Sequence, residues 1–178
     1  MQGLAGKRAL GCDFCRCGAN VISFKLKVVE KIFRYNGVGK GNYKYPVLWE
    51  NEYDSWSYCQ KFIKELNRIT GLSFRLPTEA EWEFAARGGN KSQGYKYSGS
   101  NNIDDVGWYG GNSQSSAHPV ANKQPNELGL YDMSGNAAEW CSDYYAWYTS
   151  AAQTNPTGPS SGSNGHVNRG SWYGGHIN

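Results

Sequence analysis

The twenty residues from Asn126 to Tyr145, NELGLYDMSGNAAEWCSDYY, constrain the fold of this chain more than any other part of it. Two acidic side chains, Asp132 and Glu139, flank two small residues, Gly135 and Ala137, and large rings follow at once at Trp140, Tyr144 and Tyr145. A turn rich in oxygen that leads directly into aromatic residues builds an oxygen-lined pocket beside a hydrophobic core. Hard cations such as calcium take roughly six to eight oxygen ligands from carboxylates, carbonyls and water. Asp132 and Glu139 offer carboxylates, and the turn at Gly135-Asn136-Ala137 can present backbone carbonyls inward. The residues also admit a plainer reading, in which Asp132 caps the turn and Glu139 pairs with a basic residue such as Arg169.

The core beside such a turn has to be built from rings. Leu, Ile and Val are sparse, whereas the 178 residues include 7 Trp, 13 Tyr, 6 Phe and 23 Gly. Rings bury much area per residue and glycine permits tight turns, so this mixture points to one loop-rich domain with little regular structure. The net charge is +3, and the basic residues form no face beyond Lys25 to Arg34, which argues against a nucleic-acid partner. No apolar run is long enough for a membrane-spanning helix. The first residues, MQGLAGKRALGC, lack the apolar stretch of a signal peptide, and localisation is left open.

Two helices stand out. Trp56, Cys59, Phe62, Ile63, Leu66 and Ile69 recur at steps of three and four between Asp54 and Thr70, with Lys61, Lys64, Glu65 and Arg68 largely opposite, and Gly71 supplies the stop. After an extended piece, Ser73 to Leu76, Thr78 and Glu81 form a capping box, and Arg87 and Gly88-Gly89 close the second helix. Residues 90–123 and 151–165 are long irregular segments rich in Gly, Ser and Asn or in Ser, Thr and Pro. The run ISFKLKVVEKIF, ahead of them, fits a strand or a short helix.

The cysteines and histidines supply no strong site. Cys59 and Cys141 read as small core residues. Cys12, Cys15 and Cys17 form a cluster with the look of a soft-metal site but without an obvious fourth ligand. His118, His166 and His176 show no paired spacing and read as surface residues.

Three strings, in order, resemble the formylglycine-generating enzyme, or sulfatase-modifying factor, family: RLPTEAEWEFAARGG at Arg75 to Gly89, NELGLYDMSGNAAEWCSDYY, and Val167-Asn168-Arg169-Gly170-Ser171-Trp172. The resemblance runs from about Pro46 to Trp172, which divides the chain into a divergent segment, 1–45, and a family-like domain, 46–178. It implies an irregular, loop-rich α+β fold related to C-type lectins, with two helices and short twisted strands. It also implies that structural calcium is held at Asp132, by backbone oxygens at Gly135 and Ala137, and by Glu139. Relatives usually carry Trp where Ala138 stands, so a packing gap costing a few kcal/mol is expected if that position is buried.

The family enzyme oxidises a substrate cysteine with oxygen and copper(I), a metal that prefers thiolates. The first of its two thiols lies two residues past the aromatic of the Gly-Ser-Trp element, where this chain has Gly174; the second falls beyond Asn178. The resemblance therefore implies a domain shortened at its C-terminus, with copper unlikely, without oxidase activity as it stands, and with strand edges open to aggregation. The other reading is a non-enzymatic module for protein or glycan ligands, with Trp172, Tyr173, His176 and Asn178 beginning its binding surface.

Overall fold

The structure, a computed structural model, describes residues 8, 9, 45, 46, 48 and 52–176. Its first long element is helix α1 (Glu52–Thr70), stopped where Gly71 takes φ +67° and donates its N–H to Asn67 O at 2.9 Å. Asn67 then pins the chain that follows: its side-chain amide bonds both Phe74 O and Phe74 N, at 3.0 and 2.6 Å. Strand β2 (Phe74–Arg75) is thereby held against α1, and a two-residue strand β1 (Arg8–Ala9) pairs with it in parallel.

Helix α2 (Glu79–Ala86) begins as its sequence demands. Thr78 Oγ1 accepts from Glu81 N, and the Glu81 carboxylate accepts from Thr78 N, so two orphan donors are satisfied at once. The same carboxylate makes a two-pronged pair with Arg75, which holds it below the usual glutamate range through hydrogen bonding. Beyond α2 come a 3-10 turn (Gly89–Lys91), a single-turn helix α3 (Ile103–Val106) capped by Asn102, and a long irregular path to β3 (Glu139–Tyr144). Strand β4 (His166–Arg169) lies antiparallel to β3, pairing Glu139 with Arg169 and Tyr144 with His166, with a register irregularity between them.

The core lies between α2 and this two-stranded sheet: Trp82, Ala85 and Ala86 pack with Leu130, Met133, Cys141 and Val167. It is small, and several rings work around it as stacks. His166 lies flat on Trp56 at 3.5 Å and near Tyr144 at 4.1 Å, while Trp56 meets Trp140 edge-on, so the stack docks α1 onto the sheet. His118 stacks on Trp108 at 3.7 Å, with Lys123 over the same ring. His118 and His166 are therefore half-buried stacking partners and not surface residues, because an imidazole face covers an indole as a small aromatic does. His176 is exposed.

The two expected helices are present, and the short α3 follows them. Cys141 is fully buried, whereas Cys59 is only half-buried. The run ISFKLKVVEKIF, the cluster Cys12, Cys15 and Cys17, and Asn178 lie outside the described residues. Among the described residues no helix is long and apolar enough to cross a membrane.

Candidate functional site

The hallmark loop is tied down from its first residue. Asn126 is buried; its amide nitrogen donates to Ala85 O at 2.8 Å and to Ser98 Oγ at 3.1 Å, and its oxygen accepts from the N–H groups of Leu128 and Leu130. Ala85 O, which already accepts from Gly88 N at the end of α2, thus gains a second donor from the loop. Ten residues on, Asn136 does the same for another segment. Its side chain accepts from His118 N at 2.9 Å and donates to His118 O at 3.0 Å, while its main chain bonds Trp108 O and Tyr173 N.

The backbone explains the residue types. Asp132 and Asn136 both have left-handed φ, 58° and 68°, which Asp and Asn tolerate better than most residues. Between them Gly135 has φ 129°, and a Cβ there would stand 2.2 Å from Trp108 O, so only glycine lets the two main chains touch.

The four residues expected to hold a cation occupy this one loop and the first position of β3. Asp132 is buried; its Oδ2 accepts from Ala121 N at 2.8 Å, while Oδ1 is buried without a hydrogen-bond partner. Burial raises its pKa above the ordinary aspartate value, opposed by the Ala121 N–H and by the nearby Asn136 amide, whose hydrogen bond goes to His118 O. Gly135 O accepts from Ala137 N at 2.9 Å. Glu139 Oε2 accepts the indole N–H of Trp82 at 2.6 Å. Among the described residues no group of three or more His, Cys, Asp or Glu side chains comes together, so a cation here has to draw on main-chain oxygens. Ala138 is exposed, and the packing gap expected from its missing ring does not arise because nothing encloses that position.

Arg169 sits opposite Glu139 in the strand pairing, but its guanidinium lies over the Trp82 ring and reaches α2, where it bonds Glu79 at 2.7 Å and Glu83. Burial lowers its pKa, yet the hydrogen bond to Glu79 and the charges of both glutamates outweigh this and raise it. The neighbouring Cys141 thiol is pushed up to about 12, first by burial and then by the carboxylates of Asp143 and Glu79.

At the C-terminal side, Trp172 is half exposed, and Tyr173 meets it edge-on while its main chain is held by Asn136 O and by Ser113 Oγ at 2.7 Å. A Cβ placed on Gly174 would stand 2.4 Å from the Trp172 ring. Gly175 O accepts from Gly110 N, which fixes the path of this segment.

Sequence reasoning left one feature out. Two adjoining grooves, of about 370 and 450 Å³, share Glu79, Tyr148 and Arg169; Trp147 lines the first and Glu83 the second. The closely spaced rings Tyr145, Trp147 and Tyr148 were a signal for it, but only the fold brings them to a groove that shares Glu79 of α2.

Comparison with known proteins agrees over most of the chain. Residues 30–177 match the sulfatase-modifying factor enzyme 1-like domain. The chain is 34% identical over 144 residues to the formylglycine-generating enzyme of Bos taurus, covering 72% of this chain and 35% of that protein. It is 46% identical over 90 residues to the chaperone protein LppX of Paenibacillus barcinonensis, covering 41% of this chain and 32% of that one. Treponema denticola variable protein 1, a solved structure, superposes with a TM-score of 0.62 at 35% identity, over 78% of this chain and 64% of that chain. The chain spans about a third of the length of these two curated relatives.

Proposed function

Because the chain belongs to the sulfatase-modifying factor enzyme 1-like family, we propose that it is a C-type-lectin-like domain of that family that holds structural calcium and does not itself oxidise cysteine. The observation that carries this reading is Gly174. It stands where the family resemblance puts the first thiol, and a Cβ there would have to displace the half-exposed Trp172 ring. Cys141 is no substitute: its thiol is fully buried in the core with Trp82, Met133 and Val167, out of reach of a substrate peptide. Incubating the purified chain with copper(I), oxygen and a cysteine-containing sulfatase peptide should leave the peptide unchanged by mass spectrometry. Appearance of the aldehyde product would sink the reading.

Calcium is supported by Asp132 Oδ1. A buried carboxylate oxygen without a donor is unfavourable unless a cation meets it, and Glu139 with the carbonyls of Gly135 and Ala137 would complete the set. The ion would supply charge and rigidity to the loop, and no chemical step. Thermal unfolding in excess calcium against excess chelator should separate by several degrees, and Asp132→Ala should abolish the separation.

A second reading, a binding module for a protein or glycan, is favoured by the exposed indole of Trp172 on a segment whose main chain is fixed from both sides. Trp172, Tyr173, His176 and Asn178 would begin that surface. Alanine at Trp172 should then remove a ligand found by screening without lowering thermal stability.

A further inference from the structure

The paired grooves beside α2 carry a site distinct from the Trp172 surface. One wall consists of rings held in water: Trp147 is 85% and Tyr148 80% exposed, and Tyr145 lies edge-on to Trp147 at 6.0 Å. Large rings grouped in the open mark a contact site more than a packing accident. Tyr148 is aimed, not loose, since its hydroxyl donates to Glu79 Oε1 at 2.5 Å, and that bond raises its pKa above the ordinary tyrosine value.

The floor is charged yet self-neutralised. Arg169 bonds Glu79 and Glu83, and the other Glu83 oxygen bonds Arg87 at 2.5 Å, so two guanidiniums and two carboxylates cancel in an alternating row. An ionic ligand would have to break one of these pairs before making its own. Neutral amides, Asn164 and Asn168, also line the first groove, together with Ala146, Val167 and His166, whose ring is engaged in the stack on Trp56. Its volume, about 370 Å³, lies within the range of small-ligand pockets, and the second groove extends it past Tyr148 towards Pro156.

We propose that this elongated cleft binds a neutral oligosaccharide, with the C–H face of one sugar ring stacked on Trp147 and its hydroxyls bonded to Asn164, Asn168 and the free lone pairs of Glu79. The assignment follows from the chemistry of the walls: rings for an apolar face, amides for hydroxyls, and no uncompensated charge for an ion. Pre-oriented rings spare the ligand part of the ordering entropy.

The test is a titration of the whole chain with maltohexaose, cellohexaose, chitohexaose and laminarihexaose, followed by tryptophan emission and calorimetry. At least one should give a saturable response, weakened tenfold or more by Trp147→Ala, weakened less by Trp147→Phe, and unchanged by Trp172→Ala. Trp147 is almost wholly solvent-exposed, so its replacement should leave the unfolding temperature unmoved. Silence across all four sugars would overturn the proposal, as would a response that survives Trp147→Ala or that depends on Trp172. Short peptides selected by phage display that need Trp147, with no sugar response, would give the cleft to a protein ligand and overturn it equally. Loss of sugar binding leaves the calcium and oxidase readings untouched, because neither uses this cleft.

Discussion

The two main helices differ in a way their sequences do not announce. Helix α1 is 19 residues long with a clear apolar stripe, yet from Ser55 onward only Ser55 and Ile63 are buried. Helix α2 has 8 residues and a weak stripe, and it places Trp82, Ala85 and Ala86 in the core. Periodicity reports which face of a helix is apolar; it does not report how completely a neighbour covers that face. Coverage is set by tertiary partners, and α2 has the hallmark loop and the β3–β4 sheet, whereas α1 touches the sheet through the Trp56 stack and one indole bond from Trp140 to Ser55 Oγ at 3.1 Å.

The largest test of this contrast compares Trp82→Ala with Ile63→Ala. Trp82 is 5% exposed and its N–H donates to Glu139, so removing it leaves a cavity and takes that donor away. A loss of about 3–5 kcal/mol in urea unfolding is expected, against about 2–3 kcal/mol for Ile63, which is buried but smaller and lies outside the main core cluster. Equal losses would break the contrast.

Next in size is Asn136. Both ends of its amide bond the main chain of His118, and removing them strands the N–H and C=O of that half-buried residue. Asn136→Ala should lose about 2–3 kcal/mol. Asn136→Gly should recover roughly 1 kcal/mol of that, since glycine accepts the left-handed φ that alanine resists. If glycine is no better, backbone strain plays no part in the choice of residue.

These residues show what the sequence could and could not reveal. The capping box at Thr78, the stop at Gly71 and the two helices were legible because they are local: each depends on residues within four positions. The family resemblance located the hallmark loop. The use of that loop was hidden, because Asn126 serves Ala85 and Asn136 serves His118, and an asparagine in a turn looks the same whether its amide faces water or a distant carbonyl. The reach of Arg169 was hidden for the same reason. Its strand position faces Glu139, but a long side chain lying over Trp82 reaches the next helix. The imidazoles of His118 and His166 were read as surface groups because stacking leaves no trace in spacing.

A smaller effect tests whether α2 depends on its cap as well as on the core. Thr78→Ala removes the acceptor for Glu81 N and should cost about 1 kcal/mol. Thr78→Ser should restore most of it. A loss as large as that at Trp82 would mean that the whole domain unravels from this end.

The smallest prediction concerns the charge on Glu81, which serves the cap and Arg75 together. Its carboxyl is held below the usual range, chiefly by hydrogen bonds from Arg75, so the folded chain favours the ionised form more than the unfolded chain does. A depressed carboxyl contributes stability that is present above the ordinary glutamate value and is lost as pH falls through its lowered folded value. Glu81→Gln keeps an acceptor for Thr78 N but removes the charge. Because both side chains of the pair are more than a third exposed, the difference from the parent should be only a few tenths of a kcal/mol at neutral pH. It should shrink towards zero as the pH falls below the ordinary glutamate range. Melting temperatures of the two proteins measured across that range decide the point: a difference independent of pH would assign Glu81 wholly to hydrogen bonding at the cap, and the ion pair with Arg75 would contribute nothing to holding α2 in place.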